Sequence, residues 1–442
     1  MRWLLRAFTG LTTRGRAFVA AGLALVVSAF VVGSTPLLRV ALLVLMLPVL
    51  AAVVAARSRV TITPERTLAS HRIPVGGGTE VQVLIANTGR LPTGVLLGEE
   101  QVPSSLGRTQ RFVLERMSAK WSHRIRYQVG ANLRGRYAIG PLTVRMTDPF
   151  GMVELGSTFP AMDTLIVVPR VISVPPFPLP GEQANTGDST SRAMTSVGEQ
   201  DLTVREYRTG DDLRRVHWRS TARRGQMMVR QEEQPWRARA TVLLDTRENA
   251  HRGVGASSSL EWAVSVAASI GVHLAGRGYQ VNVVDEHGQL ISSVAGVRRG
   301  IVAEQATPGA IAGGAEISLL DALALVRPSR HRGLGDRELL GDSDALGLMV
   351  AVTGELDHTD TDALVRMSRQ TTAAMAIVAD TRAWSTVRTS DPTEIHPLTA
   401  STCRRLQLDG FRAVPAPPTM PLPQLWQDLV LAGRSGRQAI PA

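Results

Sequence analysis

A chain of 442 residues is too long for one ordinary core and predicts two or three domains, so size excludes neither a sizeable apolar interior nor a separate module. Positive charge outweighs negative, 49 Lys+Arg against 38 Asp+Glu for a net +11, and Lys120 is the single lysine, so the excess is almost wholly guanidinium. That balance admits an acidic protein, an anionic leaflet or nucleic acid as partner without choosing among them, and a lone cysteine, Cys403, excludes an intrachain disulfide.

The first elements are two apolar runs, Ala17 to Gly33 and Leu37 to Ala56, with Arg39 the only charge inside them. Each is long enough to cross ~30 Å of hydrocarbon. Ser34, Thr35 and Pro36 separate the runs, so the helices must turn back on each other as an antiparallel pair. Arg2, Arg6, Arg14 and Arg16 precede the first run, and Arg57, Arg59 and Arg66 follow the second. The positive-inside rule then places both flanks in the cytoplasm, with Arg39 snorkelling to the outer interface. A cleaved signal peptide is the rival reading, and the immediate second run argues against it. Residues 1–58 are thus expected to be a transmembrane hairpin with basic flanks, in the cell membrane, with the rest of the chain cytoplasmic.

Residues 59–170 read as short alternating runs bounded by turns, such as Glu80 to Ala86 and Trp121 to Val129. Period-two alternation rich in β-branched residues predicts half-buried strands, here in a small antiparallel β-sandwich-like domain of immunoglobulin-like topology. Residues 171–198, rich in Pro, Ser, Thr and Gly, read as a linker or loop. From about Arg239 strands alternate with helices. The strands are Ala240 to Leu244, Tyr279 to Val284, Leu348 to Val352 and Ala374 to Val378; the helices are Leu260 to Ala275, Glu316 to Val326, Asp360 to Arg369 and Leu422 to Leu431. Apolar strands joined by helices predict a mostly parallel sheet covered on both faces, a doubly wound α/β domain. Arg298 to Gly314 and Arg327 to Asp344 read as Gly- and charge-rich loops.

The most distinctive stretch is Arg205 to Arg230, REYRTGDDLRRVHWRSTARRGQMMVR. It holds Arg205-Glu206-Tyr207, Gly210-Asp211, Arg215, Trp218, Ser220 and Ala222-Arg223, with Glu232 and Glu233 beyond. Upstream stand Arg134-Gly135-x-Tyr137-x-x-Gly140-Pro141 and Asp148-Pro149-Phe150-Gly151. In these motifs the chain resembles the bacterial domain of unknown function 58 family, over nearly its whole length. The resemblance implies a von Willebrand factor A-like fold in residues 199–442, behind a transmembrane hairpin. It also implies a MoxR-type AAA+ ATPase and a transglutaminase-like membrane protein as partners, and it carries no catalytic residues to transfer.

On its own chemistry, the signature mixes eight arginines with four acidic residues counted from Asp201. One reading is an internal network in which Glu206 and Asp211 hold Arg215 and Arg223 over a buried or stacked Trp218. Another is a docking surface for an acidic protein. Interleaved carboxylates disfavour nucleic acid, and His217 beside Trp218 has no nucleophile elbow to serve as a base. A von Willebrand A domain can hold Mg²⁺ through Asp-x-Ser-x-Ser after its first strand. Here Asp245-Thr246-Arg247-Glu248-Asn249 stands instead, with Arg247 in place of the first serine. Thr353 and Asp380 also follow strands and could converge on Asp245 in a polar site; alternatively Asp245 pairs with Arg247 or caps the next segment. Ser257-Ser258-Ser259 reads as a helix N-cap. The expectation is a non-catalytic adaptor without cofactor or metal, working with the ATPase in envelope or complex assembly. Metal-dependent adhesion and nucleic-acid binding are the alternatives.

Overall fold

The computed structural model describes residues 10–57, 62–88, 95–115, 118, 120–147, 150–178, 204–207, 216, 218–230, 239–295, 314–335, 346–369, 371–384 and 395–432. The chain divides into two compact units, Met1–Arg170 and Val171–Ala442.

In the first unit, helices α1 (Thr13–Val32) and α2 (Thr35–Arg57) are long and apolar enough to cross a membrane. The most apolar 18-residue windows within them have a mean hydropathy of 2.1 in α1 and 2.4 in α2. Val27, Phe30, Leu42, Leu43 and Met46 are exposed, an arrangement water penalises and hydrocarbon does not. Gly33 ends α1 in the left-handed region at φ 70°, and its N–H donates to the Ala29 carbonyl. The connection is shorter than the sequence suggests. Thr35 and Pro36 already belong to α2, because a proline in the first helical turn lacks only an N–H that would have no helical partner. The helices touch at Gly22, where a Cβ would stand 2.6 Å from Leu45 Cγ.

Among the described residues ten strands follow: β1 (Ile62–Leu68), β2 (Arg72–Pro74), β3 (Gly78–Asn87), β4 (Val95–Glu100), β5 (Gln110–Leu114), β6 (Ser122–Gly130), β7 (Gly135–Ile139), β8 (Leu142–Thr147), β9 (Glu154–Phe159) and β10 (Asp163–Val168). They form three sheets, ordered β1-β3-β6, β2-β10-β7 and β5-β4-β8-β9, antiparallel except for the short β2–β10 pair. Alternation explains the shared core. Val81, Val83 and Ile85 of β3 point inward, and they join Leu96, Val144, Met146, Leu165 and Val167 in one cluster. Crossing this core is Arg66, whose guanidinium binds the buried Glu100 and, at 2.9 Å, Asp163.

The base of the hairpin is fastened to β9. Thr12 N donates to the Met152 carbonyl at 2.9 Å, Glu154 N donates to the Gly10 carbonyl at 2.8 Å, and Leu11 bridges Val153. Thr12 Oγ1 donates to the Gly151 carbonyl at 2.7 Å and accepts from Gly15 N, so one hydroxyl both caps α1 and ties it to the β-rich region. A Cβ on Gly15 would lie 2.3 Å from the Met152 carbonyl oxygen. Leu11, Leu47, Ala51 and Ala52 pack there with Met152, Val153 and Leu155.

In the second unit, β11 (Val204–Glu206) and β12 (Met228–Arg230) form an antiparallel hairpin enclosing helix α3 (Trp218–Arg224). The main sheet comprises β13 (Arg239–Leu244), β14 (Gln280–Val284), β15 (Leu290–Val294), β16 (Leu346–Thr353), β17 (Thr371–Ala379) and β18 (Arg412–Ala416). Their order is β15-β14-β13-β16-β17-β18, parallel throughout except for the edge strand β15. Its helices are α4 (Ser259–Gly276), α5 (Gly314–Ala324), α6 (His358–Ser368), α7 (Pro397–Leu408) and α8 (Leu422–Leu431). Leu364 and Met367 of α6 pack with Cys403 and Leu406 of α7 over Leu243, Met349, Ala351 and Val378. On α4, Ser258 accepts from Glu261 N as the sequence suggests for a cap, and His273 meets the fully buried Trp426 of α8 edge to face. Residues 171–178 form neither strand nor helix, yet they are held to α4: Ile172 N donates to Ser269 Oγ and Arg277 donates to the Phe177 carbonyl.

Candidate functional site

Two places in the second unit concentrate unusual residues. The first is the signature hairpin. Arg205 and Glu206 lie on β11, paired with Val229 and Met228, and Tyr207 follows half-buried. Met228 and Val229 are buried, and the Thr221 hydroxyl accepts from Met228 N at 3.0 Å, fixing α3 against β12. Trp218 is 71% exposed, and Ala222, Arg223, Arg224 and Met227 are exposed with it. The indole is therefore not buried, one of the two placements, buried or stacked, that the network reading gave it, because a single short helix at this edge leaves Trp218 to solvent. Ser220 lies on α3 between them. Gly210, Asp211, Arg215 and His217 are outside the described residues, as are Glu232 and Glu233.

The upstream motif ends in the fastening just described: Gly151, at φ 68°, supplies a carbonyl to Thr12, and Phe150 is half exposed. Asp148 and Pro149 lie outside the described residues. Tyr137 donates its hydroxyl to the Leu133 carbonyl at 2.9 Å, bracing the turn that precedes β7.

The second place is the carboxyl edge of β13 and β16, where ligands of such sheets collect. Asp245 is fully buried there and Arg247 is 1% exposed. Arg247 Nε and Nη2 donate to the two oxygens of Asp245 at 2.9 and 3.0 Å, a bidentate pair, and Nη1 donates to Asp360 at 2.7 Å. The carbonyls of Arg332 and Glu355 accept from the same guanidinium. No carboxylate oxygen is left over, because Asp245 also accepts from the backbone of Arg247 and Gly354, and Asp360 from Leu334 and Asp357. Burial alone would pull the guanidinium pKa down; hydrogen bonds and charge from Asp245 and Asp360 outweigh it and raise the pKa. Next to this cluster the Thr246 hydroxyl donates to Glu286 at 2.6 Å. Burial pushes the Glu286 carboxyl up, but hydrogen bonds from Ser329 and Thr246 more than reverse it. His251 donates to the Asp245 carbonyl at 2.8 Å through Nε2 and meets Ser259 Oγ through Nδ1; burial holds its pKa down.

The structure thus pairs the Asp245 carboxylate with Arg247; Thr353 lies at the end of the neighbouring strand, between Val352 and Gly354, which both bond Asp245 through their backbone. Thr353 is buried with no partner for its hydroxyl among the described residues. Asp380 accepts from His396 N at 2.7 Å and from Thr399, two strands away. Asp360, Glu286 and His251 complete the cluster and carry no local sequence signal. For a divalent ion the donor set does not fit: a fixed cation already takes both carboxylates. Among the described residues no group of three or more His, Cys, Asp or Glu could hold a metal.

Residues 203–301, spanning the signature hairpin and β13 to β15, match the family described as "Protein of unknown function DUF58". An uncharacterized protein, YeaD of Bacillus subtilis (strain 168), is 26% identical over 213 residues, which are 46% of this chain and 51% of that protein. The chain therefore spans about half the length of this curated relative. Among solved structures, the CARDB domain of PF1109 from Pyrococcus furiosus is 15% identical with a TM-score of 0.19, over 24% of this chain and 94% of that one. A GH20 exo β-N-acetylglucosaminidase from Vibrio harveyi is 9% identical with a TM-score of 0.18, over 34% and 24%. Likenesses at that level bear on neither fold nor function here.

Proposed function

We propose that this chain is a membrane-anchored, non-catalytic protein-interaction module of the domain of unknown function 58 type. In this reading α1 and α2 span the bilayer with both ends in the cytoplasm. Unit 1 beyond them is a β-sandwich, and the six-stranded α/β domain is doubly wound and von Willebrand A-like, with its metal position replaced by an ion pair. The signature hairpin is the docking surface. By the family resemblance its partner is a MoxR-type AAA+ ATPase, with a transglutaminase-like membrane protein nearby, during envelope or complex assembly.

The observation that carries the reading is the exposure of Trp218 beside Arg223 and Arg224. An exposed tryptophan next to arginines is the composition of an interface anchor, and the arginines favour an acidic partner. The test is co-purification of the full-length protein from native membranes in a mild detergent. Partner retention should fall sharply in Trp218→Ala and in Arg223→Glu while the melting temperature holds; equal retention in both variants would overturn the docking surface. Orientation is tested separately, by protease added outside intact cells carrying a tag after Ala56: cleavage would remove the cytoplasmic assignment.

A further inference from the structure

A cavity of about 330 Å³ opens where the carboxyl ends of β16 and β17 meet the amino ends of α6 and α7. It adjoins the Arg247 cluster in sequence but uses other side chains. Arg382, His396, His358 and Arg405 line it, along with the Thr381 and Ser401 side chains and the carboxylate of Glu355.

We assign the imidazole protons from the shorter contact each ring accepts. His396 Nδ1 caps α7 by accepting from Leu398 N at 3.2 Å, so a neutral ring must carry its hydrogen on Nε2. That Nε2 stands 3.4 Å from Nη1 of Arg382, which can only donate. Two donors face each other with no acceptor between them. His358 repeats the pattern: its Nδ1 accepts from Arg405 Nη1, which leaves Nε2–H as a donor at the cavity wall. Carboxylates stand near, Asp357 among the lining residues, and each holds a donor: Asp357 accepts from Asp360 N at 2.7 Å. Glu355 is shared between Arg252 at 3.3 Å and Arg382 at 3.5 Å, and Asp362 holds Arg405 at 2.7 Å. Asp380, fixing both His396 N and Thr399 Oγ1, is a positioning residue for this rim.

A wall of N–H groups from two guanidiniums and two imidazoles, at two helix amino ends, is completed by an oxyanion that accepts from several at once. We infer that this cavity binds a phosphate monoester, with one oxygen accepting from both Arg382 Nη1 and His396 Nε2 from the cavity side. The volume exceeds what a bare phosphate fills, leaving room for a small organic group against Leu356 and Leu398. This inference stands whether or not Trp218 docks a partner.

The probe is inorganic phosphate, titrated by calorimetry into the full-length protein in a phosphate-free detergent, against chloride at equal ionic strength to remove general screening. Binding with a Kd on the order of 1 mM or tighter is expected, weakened roughly tenfold or more in Arg382→Gln and in Arg405→Gln. Arg111→Gln, an exposed arginine of the β-rich unit, should bind like the unaltered chain. Arg382→Lys keeps the charge without the fork and covers loss of folding in Arg382→Gln. It should bind between the two. No binding by the unaltered protein, or equal binding in Arg382→Gln, Arg382→Lys and Arg405→Gln, overturns the site. Phosphatidate in mixed micelles that displaces phosphate would assign the ester as a lipid headgroup; failure to displace assigns it as a free phosphate ester.

Discussion

Each unit buries one arginine between two carboxylates, and the two solutions differ in completeness. In the α/β domain Arg247 meets Asp245 and Asp360, and every oxygen of both carboxylates accepts a hydrogen bond. In the β-rich unit Arg66 meets Glu100 and Asp163, but Glu100 Oε2 and the Tyr127 hydroxyl are buried with no partner among the described residues. The contrast lies in backbone supply. Asp245 and Asp360 sit at strand and helix ends, where free N–H groups turn toward them, whereas Glu100 ends a strand whose backbone serves the sheet ladder. Burial therefore raises the Glu100 carboxyl more than Arg66 lowers it, and the Tyr127 phenol is raised by burial and then by the charge of Glu100. A buried ion pair stabilises when its remaining lone pairs are met, and only the α/β cluster meets that condition.

The largest effect is expected from breaking the complete cluster. Asp245→Ala leaves a guanidinium buried without its bidentate partner and should cost roughly 3–5 kcal/mol in denaturant unfolding of the full-length protein. A loss under about 1 kcal/mol would mean that Arg247 reaches solvent in the folded state. The pH profile sharpens the comparison next. The lowered pKa of Glu286 contributes stability that is present above the ordinary glutamate range and is lost as pH falls through the depressed value. The raised pKa of Glu100 has the opposite sign: its contribution is present below the ordinary range and is lost as pH rises through the raised value. Glu286→Gln should accordingly flatten the acid limb of melting temperature against pH, and Glu100→Gln the limb above it. Smaller again is Thr12→Ala, which removes a helix cap and the bond to Gly151 and should cost about 1 kcal/mol. Smallest is Trp218→Ala, within about 0.5 kcal/mol of the unaltered chain because the indole is already in water. A larger loss by thermal melting would show that the ring packs against something.

Much of this architecture was legible because its signals are local. Apolar length announced α1 and α2, period-two alternation announced β3 and β6, and the closing helix Leu422–Leu431 has the bounds its pattern predicts. The edge strands β15, with two serines, and β18, with a proline, escaped because an edge strand needs no continuous apolar run. So did α7, whose polar face breaks the apolar periodicity that marks the other helices. In the site, Asp245 and Arg247 are two residues apart and their pairing could be read directly. Asp360 lies 113 residues beyond Arg247 and reaches it only because β16 sits beside β13. Thr353 and Asp380 looked equivalent to Asp245 because all three end strands, but Asp380 ends a strand two ladders away and bonds its own neighbours, while Thr353, on the adjacent strand, borders Asp245 without a side-chain bond to it.

The fastening of Thr12 and Gly10 to β9 has a mechanical consequence. With backbone bonds on both sides of Leu11 and a glycine too close to its neighbour to carry any side chain, α1 and the sheet have no swivel between them. Tilting the hairpin must turn β9 with it, so in the proposed bilayer setting the thickness or curvature of the lipid becomes torque on the strands attached to α1.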